Sequence, residues 1–264
     1  MCFFATKSSM KIRMKRKLAV VLLICISCHI GWAAQDFVWK SGQNMKVVCD
    51  TTEAPVVKVA LDLLKRDCRS VLSGEISRSE NTGNIYVGTW GESSVLQALA
   101  DTRQLDVAQL DEHREAFLLN VLPDGRLVVA GSDKRGTAYG VLELSRMMGV
   151  SPWEWWADAV PEKKEEFCLP AGFRKLEYPQ VAYRGIFIND EDWGLTPWSW
   201  KHYEPSERKG QIGPKTHARI FELLLRLRAN TFWPAMHECS IPFFFTEGNK
   251  EMADKYAIYL GTSH

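Results

Sequence analysis

One stretch constrains this chain more than any other: Val181 to Trp198, reading VAYRGIFINDEDWGLTPW. It opens as a strand. Tyr183, Gly185, Ile186, Phe187 and Ile188 form a short β-branched and aromatic run, the composition of a strand buried on both faces. Then the character changes. Asp190, Glu191 and Asp192 set three carboxylates side by side, after Asn189 and before Trp193, Gly194, Pro197 and Trp198. Adjacent acids repel, so a folded chain carries them in water, on a metal or opposite cations. Acids at the carboxyl end of a barrel strand, among tryptophans, are the equipment of a sugar-cleaving site. A solvated acidic loop is the plainer alternative.

From Val181 onward the pattern alternates strand and helix. Pro214 suits the first turn of a helix. Ile220, Leu223, Leu224 and Leu227 give it the i, i+3, i+4, i+7 stripe that covers a sheet. Asn230 is a plausible left-handed stop. Thr231 to Met236 reads as the next strand, Asn249 to Tyr256 as a short helix, and Ile258 to Leu260 as a third strand. That is roughly three strand–helix units of a (β/α) barrel, which needs eight. The expectation is therefore the front part of a longer protein, and the alternative is a complete domain with a three-stranded parallel sheet.

Residues 35–162 read as a small α/β domain. Met45–Cys49 and Asn84–Gly88 are strands, and Pro55–Leu72 is a helix with Val56, Val59, Ala60, Leu63 and Leu64 on one face. Ser93–Ala100 is a shorter helix. Pro123-Asp124-Gly125 is turn chemistry between two apolar runs, so 115–122 and 126–130 form a hairpin. Gly136–Met148 is a helix stopped by Gly149. The glycines of this half lack nucleotide-binding spacing. The tryptophans of VSPWEWW (Val150–Trp156) either line a sugar site or fill a seam between domains. Residues 163–180 are a charged connector with one edge strand.

Residues 1–34 look like an address. A basic segment, an apolar run from Leu18 to Ile30 and small residues around Ala33 make an export signal, and the run is shorter than the about 20 residues of a membrane span. The chain is expected to be periplasmic or extracellular, with no stable membrane insertion after cleavage. The leader carries six Lys and Arg and no acid. Of 33 cations in the 264 residues, 27 remain against 32 acids, a body charge of −5 that gives no support for nucleic-acid binding. Cys49, Cys68, Cys168 and Cys239 follow the leader without a CxxC pair, so buried free thiols are expected, and no metal or other cofactor.

Four segments carry a resemblance: Gly131–Asp158, Tyr183–Trp198, Ala218–His237 and Tyr259–His264. Together they resemble glycoside hydrolase family 115, exported bacterial α-glucuronidases that act on glucuronoxylan. The resemblance implies an α/β fold in which the small N-terminal domain precedes a TIM-like (β/α)8 barrel starting at Val181, here truncated. It implies inverting removal of α-1,2-linked glucuronic or 4-O-methylglucuronic acid, uronic-acid xylo-oligosaccharides as ligands, and a chain that continues past His264. Any homo-oligomer would form through those further parts. A non-catalytic carbohydrate-binding or surface-interaction protein is the alternative function.

Inversion needs an acid and a base on opposite sides of the sugar, about 6.5–9.5 Å apart. In extended chain Asp190 and Asp192 lie about 6.6 Å apart but point the same way. The acidic run therefore supplies one side of the centre, and the opposite carboxylate is expected from another strand. Glu191 is the first candidate, to position water or bind a hydroxyl, followed by Asp190 and Asp192. Asn189, Asn230, His237 and His264, at or near strand ends, are expected to contact the uronate or a hydroxyl. Trp193, Trp198 and Trp233 are expected to stack on a pyranose. Arg184 begins its strand, the stability end, and is not assigned to the uronate.

Overall fold

A computed structural model of the chain describes residues 33–189 and 193–262. The expected leader thus lies outside the described residues, apart from Ala33 and Ala34. Among the described residues no helix is long and apolar enough to cross a membrane. From Gln35 onward the chain forms one unit, within which the expected boundaries at 162 and 180 fall.

The first strands are β1 (Phe37–Lys40) and β2 (Asn44–Cys49), followed by helix α1 (Pro55–Leu72), β3 (Glu75–Ser79), β4 (Ile85–Thr89) and α2 (Ser94–Asp101). The hairpin β5 (Phe117–Val121) and β6 (Leu127–Gly131), helix α3 (Lys134–Met148), and strands β7 (Glu166–Leu169) and β8 (Arg174–Glu177) complete this half. β3, β2, β4 and β6 are parallel neighbours, and β5 and β8 follow antiparallel, giving a six-stranded sheet in the order β3-β2-β4-β6-β5-β8.

The long helices follow their sequence signals. α1 starts on Pro55, buries its whole expected stripe and stops where Ser73 turns left-handed. Asp133 caps α3 by accepting the Arg135 and Gly136 amides, and Gly149 (φ 103°) ends it, a conformation that costs glycine nothing. Both helices cover one face of the six-stranded sheet, and α2 covers the other, where Leu96 and Leu99 meet Val48, Leu118 and Val128.

The segment 163–180 holds two strands rather than one. β7 pairs antiparallel with β1, and β8 extends the large sheet. The period-two signal is present in β7: Phe167 and Leu169 are buried while Cys168 faces out. Phe167 meets Phe37 edge-on at 6.5 Å. Cys168 is therefore an exposed thiol, unlike the expected buried one, whereas Cys49 and Cys68 are buried.

The remaining elements are β9 (Gly185–Phe187), a helical turn α4 (Leu195–Trp198) running into a π-helical turn over Ser199–Tyr203, α5 (Pro214–Arg226), β10 (Thr231–Trp233), α6 (Asn249–Lys255) and β11 (Tyr259–Leu260). The three strands form a parallel sheet with β10 in the middle. α5 carries Pro214 in its first turn, and its exposed amides at Lys215 and Thr216 donate to the Glu204 carboxylate at 3.1 and 3.0 Å. A carboxylate there satisfies orphan donors and opposes the positive end of the helix dipole. The buried core runs without a break from α1 and α3 into α5, β10 and α6, through Leu64, Tyr139, Phe221, Phe232 and Ile258.

Two expectations change in this half. β9 is exposed along its length, with Ile186 at 41% and Phe187 at 47%, because it is a sheet edge and no described strand lies on its outer side. The left-handed residue after α5 is Arg228 (φ 57°), not Asn230.

His217, on α5, is nearly sealed among Phe221, Phe232 and Phe243, its Nδ1 near Gly213 O and Asn249 Oδ1. Burial drives its pKa down to about 4, against smaller opposing effects of those hydrogen bonds. The unfolded chain then takes up this proton first, so stability is full above about pH 6.5 and falls as pH drops towards 4. Urea unfolding is expected to show a loss of about 3 kcal/mol over that window that His217→Gln removes. A variant curve parallel to the parent's would exclude this role.

Candidate functional site

The carboxyl ends of β9, β10 and β11 lie together, which is where barrel and open α/β sheets build sites. Past the strands the register continues: Ile188 donates its amide to Trp233 O at 3.0 Å, and Gly261 donates to Phe232 O at 2.9 Å. The next residues out are Asn189 after β9, Pro234 to His237 after β10, and Thr262 after β11. Thr262 Oγ1 donates to Met236 Sδ at 3.1 Å, joining the last two loops.

Aromatic rings form a ledge at this edge. Phe187 and Trp233 meet edge-on with centroids 6.1 Å apart, and both stay substantially exposed. Gly261 lies so close beneath the Trp233 indole that an added Cβ would come within 1.7 Å of Nε1. The ring is thus held by backbone on one side. Trp193 is 91% exposed. His237 is exposed too, with Nδ1 3.1 Å from Cys239 Sγ. Such an arrangement offers apolar ring faces bordered by an amide and an imidazole, the chemistry that suits a pyranose.

Asp190, Glu191, Asp192 and His264 lie outside the described residues. Asn189, Trp193, Trp233 and His237 sit at the carboxyl edge or in the loops leading from it. Two other expected site residues go elsewhere. Trp198 stacks on Tyr203 at 4.8 Å and 9° and abuts Trp155 and Trp156. It belongs to an aromatic cluster that also receives Arg219 over Trp155 and donates Trp156 Nε1 to Arg219 O. Two tryptophans of VSPWEWW therefore fill a junction with the α4–α5 region.

Asn230 precedes β10 and is fully buried at the amino end, opposite the site. Its Nδ2 donates to Glu115 Oε1 at 2.9 Å and to Ala182 O at 2.8 Å, and its Oδ1 accepts from the Arg184 amide at 3.0 Å. Glu115, left-handed at φ 53°, also accepts from Arg135 Nε at 2.5 Å and from Arg184 Nη2. Arg135 reaches on to Tyr259 Oη at 2.6 Å. One buried carboxylate from the entry to β5 thus links the amino ends of all three parallel strands. Burial alone would raise the Glu115 pKa, but hydrogen bonds from Asn230, Arg184 and Arg135 prevail and hold it below the usual carboxylate range. Sequence reasoning missed Glu115 because its side-chain partners lie 20 to 115 positions away; Arg184, set aside as a uronate ligand, belongs to this hub.

Residues 176–264 match the family model described as glycosyl hydrolase family 115. None of the curated protein sequences matches the chain. Among solved structures, BtGH115A, a family GH115 4-O-methyl-α-glucuronidase with specificity for decorated arabinogalactans, is similar at 60% identity and a TM-score of 0.83, over 86% of this chain and 30% of that one. CpGH84D is similar at 13% identity and a TM-score of 0.55, over 87% and 35%. The Flavobacterium johnsoniae chitobiase stands at 12% and 0.50, over 88% and 33%. The last two speak to the fold alone. The chain spans 30% of the length of BtGH115A.

Proposed function

We propose that this chain, which belongs to glycosyl hydrolase family 115, is the leading part of an exported, inverting α-glucuronidase that removes glucuronic or 4-O-methylglucuronic acid side chains from a polysaccharide. One observation carries the reading: 60% identity over 86% of the chain to a 4-O-methyl-α-glucuronidase. The aromatic ledge at the carboxyl edge, with Asp190, Glu191 and Asp192 just beyond Asn189 in sequence, supports a sugar site there. On this reading β9 to β11 are the first strands of a (β/α)8 barrel.

The roles follow from the chemistry of inversion. One carboxylate activates water on one side of the ring while a carboxylic acid on the other protonates the leaving oxygen. The contiguous acids furnish one side only. Glu191 positions the attacking water or holds a sugar hydroxyl, with Asp190 and Asp192 beside it. Trp193 and Trp233 stack on the sugar, and Asn189, His237 and His264 contact its carboxylate or hydroxyls. The other acid comes from a strand that this chain does not contain, so the chain by itself is inactive. Residues 1–34 act as the export signal.

The test is release of 4-O-methylglucuronic acid by the longer protein. Glu191→Gln is expected to lower kcat by about 10²–10⁴ with little change in KM, and the 264-residue chain alone is expected to release none. Parental turnover in the Gln variant, or release by the chain alone, would overturn the assignment. Binding without turnover by the longer protein would make it a carbohydrate-binding protein. Decorated arabinogalactan compared with glucuronoxylan identifies the backbone; the specificity of BtGH115A favours the first.

A further inference from the structure

We propose that a groove between α1 and the edge strand β3, remote in sequence from the acidic run, is a second sugar-acid site that binds a single uronic-acid residue. The groove exists because of where α1 lies. The helix covers β2, and β3 ends the sheet, so the flank of α1 above β3 has no further element against it. Lys58, Leu61 and Lys65 lie on that flank at i, i+3 and i+7, a single helical stripe. The parallel register of β2 and β3 sets Val47 beside Arg78. Together with Ile76 these side chains enclose a cavity of about 220 Å³.

Its chemistry is divided. Val47, Leu61 and Ile76 give an apolar floor, and Lys58, Lys65 and Arg78 bring three cations to the walls. Among the described residues none of the three forms an ion pair. Arg78 donates Nη2 to Cys49 O at 2.9 Å, which fixes its guanidinium across the end of β2 and leaves other N–H groups for a ligand. Two acids also line the groove. Asp50 is committed, its two oxygens accepting from Ser93 and Ser94 at 2.9 Å each. With Asp62 it sets two carboxylates against the three cations, and the lining keeps one positive charge in excess. Burial keeps the Cys49 thiol protonated, with its pKa pushed up to about 12, so this thiol is not a nucleophile in the groove.

An inorganic anion would use the cations and leave the floor bare. A neutral sugar would use the floor and leave the cations unanswered. A pyranose bearing a carboxylate satisfies both, the apolar ring face on Val47, Leu61 and Ile76 and the carboxylate on Arg78 and Lys58. The site is independent of the catalytic reading, since it lies on a different sheet and requires no turnover.

Calorimetric titration of the 264-residue chain with methyl glucuronoside, methyl glucoside and inorganic phosphate tests it. Glucuronoside is expected to bind at least about tenfold more tightly than either of the others, and Lys58→Ala with Arg78→Ala to weaken it about tenfold or more at unchanged melting temperature. Lys65→Glu, which reverses the third charge of the groove, is expected to weaken it as well and guards against a misfolded double variant. Phosphate binding as tight as glucuronoside would reduce the groove to a general anion patch and overturn the proposal. So would no binding, or glucuronoside binding untouched by all three substitutions, which would place it at the carboxyl edge of β9–β11 instead. Loss of turnover in Glu191→Gln has no bearing on any of these outcomes.

Discussion

Replacing Glu115 by alanine is expected to lower the melting temperature of the chain by about 10 °C. The carboxylate is almost fully buried and holds Arg135, Arg184 and the Asn230 amide at once. Taking it away leaves two guanidinium groups and an amide without their acceptor in a place that water reaches poorly. Removing one partner from a buried charge network costs about 3–5 kcal/mol, because the remaining charge is uncompensated. A unit of this size loses about 2–4 °C per kcal/mol. Glu115→Gln retains an acceptor for one of the donors and is expected to lose less than half as much. Thermal unfolding followed by circular dichroism separates the cases. An alanine variant within about 2 °C of the parent, the range of an ordinary surface change, would show that the hub contributes nothing.

The second large effect concerns Arg226. It is buried on α5, donates to both Asp67 oxygens at 2.9 and 3.0 Å, and reaches Glu222 Oε1 at 3.0 Å. Asp67 belongs to α1, so this ion cluster fastens the two halves of the continuous core. Arg226→Met leaves two carboxylates facing each other, with Arg66 and Arg219 at the rim as the remaining cations. The expected cost is again about 3–5 kcal/mol. The companion experiment is more telling. Arg226→Met with Asp67→Leu and Glu222→Leu removes every charge of the buried cluster, and well-packed apolar replacements of such groups are neutral or stabilising by about 1–4 kcal/mol. The triple variant is therefore expected to melt well above the single one and near the parent. If it melts as low as Arg226→Met alone, the cost lies in packing rather than in unpaired charge.

Both clusters bear on what could be read in the chain. The long helices were legible because their signals are local: the stripe from Val56 to Leu64, Pro55 at the start of α1, and Gly149 at the end of α3. The hairpin around Pro123-Asp124-Gly125 was legible for the same reason. Short strands in polar dress were not. β3 (EISRS) and β8 (RKLE) have little apolar content, and their strand character comes from pairing at the sheet edges. Asn230 was misplaced because a polar residue after a helix has a plausible local use, while its real partner, Glu115, is 115 positions earlier. Trp198 departs from the expected ledge because Trp155 and Trp156, some 40 positions earlier, enclose it together with Tyr203, and no local signal marks that. Of the expected site, the aromatic edge at Trp233 could be found by following strand ends, but the support of its ring by Gly261 could not.

The Glu115 hub has a consequence for how such a molecule can change. Each of the three parallel strands is moored at or just before its first residue through Glu115 and Arg135 of the preceding half, while its last residue leads into a loop at the opposite end. On the proposed reading of the carboxyl edge as a sugar site, mutation or grafting in those loops alters which sugar is accepted without disturbing the anchorage. A change at the moored end shifts all three strands together, and the carboxyl edge with them.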